Sequence, residues 1–317
     1  MTQEDKTKML STGLYERTHI LVGDNGVEAL RRACVLVVGV GGVGGICAEA
    51  LARAGIGSIT LVDPDTVVTS NKNRQIVALD STVGCAKVDV LAARLRDINP
   101  DAHISPRRIR LLKDGDTEGE EGDGNEKEEG EKYSLFESAE ALLQSDKPYD
   151  AVIDCIDSVG PKVALLAAAA GRGIRVFASG GAGGRLDPSR AGLRDIFDTA
   201  NDGLLRACRA ALRRRGIGPG VITVVSSLEK GLPPLNPPPR ADGAVDPRRK
   251  AVNGTISYMP PLFGLILASA VIRYLLDPQA AKENKAKEAK KRKREATKKN
   301  RALRHLKGKK ELPKDTS

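Results

Sequence analysis

The run Cys34-Val-Leu-Val-Val38, Gly39-Val-Gly41-Gly42-Val-Gly44, then Ile46 to Gly55 constrains this chain more than any other part of it. Five apolar, mostly β-branched residues predict a buried strand, and Ile46, Ala50 and Leu51 fall on one face of a following helix. Glycines between the two permit a tight turn and close approach of the backbone to a ligand, and the helix N-terminus offers unpaired N–H groups and a partial positive charge. Such a strand, turn and helix form a phosphate-binding element. The next strand, Ser58 to Asp63, ends in a carboxylate 19 residues after Gly44, placed to accept hydrogen bonds from ribose hydroxyls. Gly39, Gly41, Gly42, Gly44 and Asp63 thus predict a nucleotide site without choosing the nucleotide, since NAD-dependent dehydrogenases share all of these features.

Short apolar runs recur at Tyr149 to Asp154, Ile174 to Ser179 and Val221 to Ser227, with helical patterns near residues 44–54, 84–98 and 160–172. This alternation predicts an α/β fold, a doubly wound, mostly parallel sheet of Rossmann-like type with helices on both faces. The longest apolar run, Met259 to Leu276, is interrupted by Pro260, Pro261, Gly264 and Arg273, so a buried helix is expected and stable membrane insertion is not. Residues 1–19 show neither the apolar core of a secretory signal nor the composition of a transit peptide, which predicts a cytoplasmic protein.

The net charge of +10 resolves into three parts. Residues 113–132 carry 10 acids and 3 lysines, and residues 279–317 carry 16 basic and 5 acidic side chains, leaving a mildly basic remainder. The acidic stretch, rich in glycine and without a large apolar side chain, predicts a disordered insertion, and the basic stretch a disordered tail. Residues 232–250 are too proline-rich for a helix or central strand and predict a surface loop. Within the tail, Lys290 to Arg294 could also serve as a nuclear localisation signal.

After Asp63 come Pro64, Asp65, Asn71, Arg74, Gln75 and Lys87 in quick succession. Arginine and lysine neutralise phosphate oxygens and a carboxylate can hold Mg²⁺, so this cluster suits a triphosphate and its metal better than a dinucleotide. The motifs GVGGVG, LVDPDTVVTSNKNRQ, GCAKV and DAVIDCIDS, in this order, resemble the ThiF, MoeB and ubiquitin-activating (E1) superfamily of adenylating enzymes over residues 15 to 276. The resemblance implies a ThiF/MoeB-type adenylation domain over residues 1–278, with ATP and Mg²⁺ as cofactors. It further implies that Asp63 binds ribose, that Asn71, Arg74 and Lys87 contact phosphates, and that Asp157 holds the metal. Arg74, Lys87 and Asp157 are then the catalytic candidates, and Arg17 matches an arginine that reaches the partner subunit's ATP in homodimers of that family.

IDCIDSVGPK at 153–162, SGGAGGRLDPSR at 179–190 and the segment after it narrow the resemblance to the tRNA threonylcarbamoyladenosine dehydratases (the TcdA or CsdL group). These are taken to adenylate the side-chain carboxylate of the modified nucleoside and close it to a cyclic form. Arg206, Arg209 and Arg213 recur at helical spacing opposite Leu205, Cys208 and Leu212, a face able to grip tRNA phosphates, and the glycine loop containing Gly183 and Gly184 is expected to contact substrate. Other classes stay open at this point: an enzyme adenylating the C-terminus of a ubiquitin-like or sulfur-carrier protein, an NAD-binding redox protein, and a noncatalytic RNA-binding scaffold. Five single cysteines with no C-x-x-C pair, and three scattered histidines (His19, His103, His305), argue against a zinc centre. Cys155 and Cys208 read as core residues rather than nucleophiles.

Overall fold

In the computed structural model, residues 13–111, 135–234 and 253–277 are described. The acidic stretch 113–132, most of the proline-rich stretch 232–250 and the tail 279–317 lie outside them. The described residues form nine strands: β1 (Cys34–Val38), β2 (Ser58–Val62), β3 (His103–Arg107), β4 (Ile109–Leu111), β5 (Leu135–Glu137), β6 (Ala151–Asp154), β7 (Arg175–Ser179), β8 (Ala191–Asp195) and β9 (Ile222–Ser227). Seven α-helices accompany them: α1 (Glu16–Arg32), α2 (Gly44–Arg53), α3 (Lys87–Ile98), α4 (Ala139–Leu142), α5 (Val159–Gly171), α6 (Gly203–Arg214) and α7 (Met259–Leu276). The main sheet has the order β3-β2-β1-β6-β7-β9-β8, all parallel except the β8–β9 pair, while β4 and β5 form a separate parallel pair.

The doubly wound fold expected from the sequence is therefore present, with α1, α4 and strands β3, β4, β5 and β8 in addition to the elements foreseen. β1 is buried along its whole length, and its side chains alternate between two cores. Val35 and Val37 join the layer formed by α2, α3 and α7; Leu36 and Val38 join the layer formed by α4, α5 and α6. α3 begins at Lys87 rather than near 84 because Gly84 sits at φ +88°, outside helical backbone space.

α7 is long and apolar enough to cross a bilayer, yet half of it is buried inside the fold. Met259, Phe263, Leu267 and Val271 are fully covered, and Gly264 lies so close to α2 that a Cβ there would be 2.4 Å from the Val43 carbonyl oxygen. It is a core helix that presses on the turn preceding α2.

The strand ends set the position of the site. Val38 is in register with Val62 on β2 and with Asp154 on β6, which in turn aligns with Ala178 on β7. The residues that follow these strands, Gly39, Asp63, Cys155 and Gly180, therefore emerge along one carboxyl edge. The chain leaves β1 toward β2 and returns to β6 on its other side, which makes the β1–β6 boundary a topological switch point, where open α/β sheets bind ligands.

Glu49 joins α2 to α3: it accepts from Arg53 at 2.8 Å and from Arg94 at 2.6 Å. Burial pushes its carboxyl up, but the hydrogen bonds from Arg94 and Arg53 outweigh this and hold it below the ordinary glutamate range. A carboxyl depressed in the folded state stabilises above its unfolded pKa and loses that contribution as pH falls through the folded one. Glu49→Gln is expected to lower stability at neutral pH by about 1 kcal/mol. In denaturant melts the gap to the parent protein should shrink below about pH 4; a gap independent of pH would contradict the assignment.

Candidate functional site

A cavity of about 900 Å³ opens along the carboxyl edge. At its centre is the glycine turn. Gly39 is at φ +87°, and a Cβ on Gly44 would lie 1.8 Å from the Gly39 carbonyl oxygen, so both positions need glycine for the turn to close. α2 starts directly after it with no side chain capping its N-terminus. Its leading N–H groups and dipole are thus available to an anion.

Asp63 stands beside the turn, with Asp65 and Lys87 beyond it. Asp63 is buried; its Oδ2 accepts from the Val40 N–H at 2.8 Å and its Oδ1 from the Asp65 N–H at 2.9 Å. Burial raises its carboxyl above the ordinary range, against the pull of the Lys87 charge. A carboxylate offers about four acceptor sites, so two bonds leave capacity for ribose hydroxyls. Lys87, only 7% exposed, pairs with Asp65 at 2.8 Å while Asp65 remains 54% exposed.

Arg74 lines the cavity next to Gly42, its Nη1 donating to the Ser70 carbonyl at 3.0 Å and to Asn73 Oδ1 at 2.8 Å. Asn71 is placed differently: it is buried and is not among the lining residues. Its Oδ1 accepts from the Val68 N–H at 3.3 Å, and its carbonyl accepts from the N–H groups of Arg74 and Gln75. It shapes the loop that carries Arg74.

Asp157 is exposed and lines the cavity beyond β6, together with Cys155, Ile156 and Ser158. Cys155 is not the strand residue expected; it follows the end of β6 and is partly exposed on the cavity wall. Its surroundings nonetheless push its thiol well up, as burial does to Cys208, at about 11, so neither is poised as a thiolate. Cys208 is fully buried between Leu205 and Leu212, as its helical spacing implied.

At the far end the glycine loop after β7 contributes Gly181, Ala182 and Gly183, facing Asn253 and Thr255. Gly184 is not on the wall: it is pinned by bonds to Gly254 and Leu232. The loop is held by Asp202, which accepts from the Gly181 N–H at 2.9 Å and caps α6 through the Leu205 N–H at 2.9 Å. Buried Arg185 donates to the carbonyls of Gly181, Asn201 and Glu229. α6 thus starts at the cavity, where Leu204 lines it. On its outer face Arg206 and Arg213 are exposed, Arg213 lying over the Phe197 ring at 5.2 Å, while Arg209 is partly buried and donates to Thr199 Oγ1. Arg17 is 88% exposed on α1 and is absent from this cavity.

No chemistry could be read from the sequence for Gln75, Arg110, Asn253 or Thr255, all of which line the cavity. Gln75 is buried, and its Oε1 has no hydrogen-bond partner among the protein groups. Among lining residues three cations (Arg74, Lys87, Arg110) face three carboxylates (Asp63, Asp65, Asp157). The lining therefore offers a triphosphate no net positive charge. Among the described residues no group of three His, Cys, Asp or Glu side chains could hold a metal ion.

The ThiF family pattern matches residues 15–311 of the chain. The chain belongs to the ThiF family. Its ThiF relatives include the tRNA threonylcarbamoyladenosine dehydratase of Bacillus subtilis (strain 168), 34% identical over 264 residues, covering 83% of this chain and 94% of that protein. The crystal structure of E. coli tRNA N6-threonylcarbamoyladenosine dehydratase in complex with ATP matches with a TM-score of 0.66 at 30% identity, covering 85% of this chain and 98% of that one. A molybdopterin-synthase adenylyltransferase of Salmonella typhimurium (strain LT2) is 47% identical, but over 105 residues, 32% of this chain and 42% of that protein.

The turn geometry of this ThiF-family cavity yields a contrast. A Cβ on Gly41 would meet only Gln75 Nε2 at 3.6 Å, whereas one on Gly44 collides with backbone. Gly44→Ala is expected to weaken nucleotide binding by about tenfold or more, about 1.4 kcal/mol, and Gly41→Ala by much less. Calorimetric titration with ATP checks this; equal losses would contradict the close-approach argument.

Proposed function

We propose that this protein is an ATP-dependent tRNA threonylcarbamoyladenosine dehydratase, acting in the cytoplasm. One observation carries the reading: the likeness to the Bacillus dehydratase extends over 94% of that protein, through the glycine loop and α6 as well as the nucleotide half. The adenylyltransferase likeness covers 32% of the chain, which disfavours the sulfur-carrier alternative.

An ionised carboxylate cannot expel oxide at neutral pH, so it must first acquire a leaving group. A carboxylate oxygen of the threonyl side chain attacks the α-phosphorus of ATP, the bond to the β-phosphate breaks, and pyrophosphate leaves. The carbamoyl group of the same nucleoside then attacks the acyl carbon and AMP departs with the former carboxylate oxygen, while one proton is released. Being tethered within one molecule, the second step has a large proximity advantage and asks little of the protein.

The residues divide this work along the carboxyl edge. Asp63 receives the ribose, the glycine turn and α2 receive phosphate, and Arg74 and Lys87 neutralise charge that builds on phosphate oxygens in the transition state. Asp157 holds Mg²⁺, which when bound offsets phosphate charge. The loop at Gly181 to Gly183 receives the nucleoside, with Arg206 and Arg213 on the tRNA backbone. Arg209 serves α6 itself through Thr199.

The reading includes a homodimer in which Arg17 reaches the partner's ATP, supported by Ile20 and Leu21, which stand 71% and 84% exposed beside it on α1. Two defective variants, Arg17→Ala and Asp157→Ala, when mixed and allowed to exchange subunits, should then regain about one quarter of full activity, since half the dimers carry one intact site. No recovery would contradict the shared site. The function itself is tested by nucleoside analysis of tRNA from cells lacking the protein. Loss of the cyclic nucleoside with accumulation of its open precursor is expected, and unchanged levels would overturn the assignment.

A further inference from the structure

Asp154 and Lys162 form an ion pair at 2.7 Å with both side chains at 0% exposure, directly beneath the cavity floor. No step above uses either. Taking two charges out of water costs several kcal/mol per ion, and apolar side chains of similar volume would stabilise the fold as well or better. What the pair supplies instead is geometry. Asp154 Oδ1 accepts the Ile156 N–H at 3.0 Å, and Lys162 Nζ donates to the Ile156 carbonyl at 3.0 Å. The main-chain groups on both sides of the Ile156 Cα are therefore fixed by one charge pair. The Ile156 carbonyl belongs to the peptide that leads into Asp157, and Cys155, Ile156 and Asp157 all line the cavity. Asp154 is itself locked, being the last residue of β6 and in register with Val38 and Ala178. Lys162 is equally fixed, in the first turn of α5.

We infer that Asp154 and Lys162 are positioning residues that clamp the Ile156–Asp157 peptide and thereby aim the Asp157 carboxylate at the metal-bearing phosphates. The inference rests on the proposed role of Asp157 with Mg²⁺-bound nucleotide. A floor built from apolar residues would leave the Ile156 carbonyl without a donor and the loop free to turn Asp157 away.

The test uses the full chain and reads ATP binding by calorimetry with and without Mg²⁺, beside a thermal midpoint. The double variant Asp154→Asn/Lys162→Met removes both charges while keeping volume and an acceptor for the Ile156 N–H. It is expected to fold and to bind ATP in EDTA as the parent does, but to lose the Mg²⁺-dependent gain in affinity by about tenfold, as Asp157→Asn does. A changed midpoint with the Mg²⁺ gain intact would reduce the pair to a structural role and overturn the inference. If Asp157→Asn itself keeps the full gain, the metal role of Asp157 fails first and this inference falls with it. Should that double variant not fold, Asp154→Asn/Lys162→Leu, which likewise leaves no unpaired buried charge, is scored on the same Mg²⁺ gain, with the same two outcomes.

Discussion

Two backbone N–H groups meeting one buried carboxylate hold the nucleotide half of this protein together. Asp63 follows β2 directly, takes the N–H of Val40 from the glycine turn on one oxygen and the N–H of Asp65 on the other. Asp65 passes the connection on to Lys87 at the start of α3. Turn, ribose carboxylate and phosphate cation come from three separate segments, yet this short chain of bonds fixes their spacing before any ligand arrives. Such prior fixing is what lets dipoles and charges act on a transition state without reorganising. The cost is visible in Asp63, whose burial disfavours its charged form.

The same device recurs along the edge with different residues. After β6 the pair Asp154 and Lys162 holds the loop that bears Asp157; after β7 Asp202 and Arg185 hold the glycine loop and the start of α6. In each case a buried carboxylate receives loop N–H groups next to a strand end, where the backbone leaves the sheet ladder and loses its regular partners. Sheet order then sets these anchored loops side by side, and under the proposed function they would receive ribose beside β2, phosphate beyond β1, metal beyond β6 and nucleoside beyond β7. α6 carries this order to the surface, since it is capped by the residue that anchors the glycine loop and bears the exposed arginines outward.

Much of this was legible from residues alone. Gly39, Gly41, Gly42, Asp63, Lys87 and Asp157 sit at or near strand ends or helix starts and Arg74 in the loop between, and the structure brings these to one cavity, while Gly44 starts the helix behind its wall. Asn71 carried the same kind of signal but is turned into its own loop, a choice made by hydrogen bonds to Val68 that no spacing reveals. Gly184 likewise lies behind the wall that Gly183 forms. Arg110 was not legible because it reaches the cavity only through tertiary packing, and the contacts of Asn253 and Thr255 were no more so: Asn73 binds the Thr255 carbonyl at 2.9 Å across 182 residues of sequence. β8 escaped notice because every residue in it is half-buried, leaving an edge strand without the alternation that marks one. Lys162 closes the motif quoted at 153–162, but its burial was not legible, since a charge that is satisfied internally leaves no trace in periodicity.

The central claim is that a carboxylate of the substrate is activated by attack of one of its oxygens on the α-phosphorus, so that this oxygen later departs with AMP. It is tested most directly with threonylcarbamoyladenosine-bearing tRNA whose side-chain carboxylate carries ¹⁸O, incubated with the protein, ATP and Mg²⁺ in ordinary water. Mass analysis of the AMP formed should show one ¹⁸O atom per cyclic nucleoside produced. AMP without label, or ATP cleaved to ADP and phosphate while the nucleoside cyclises, would contradict adenylation of that carboxylate.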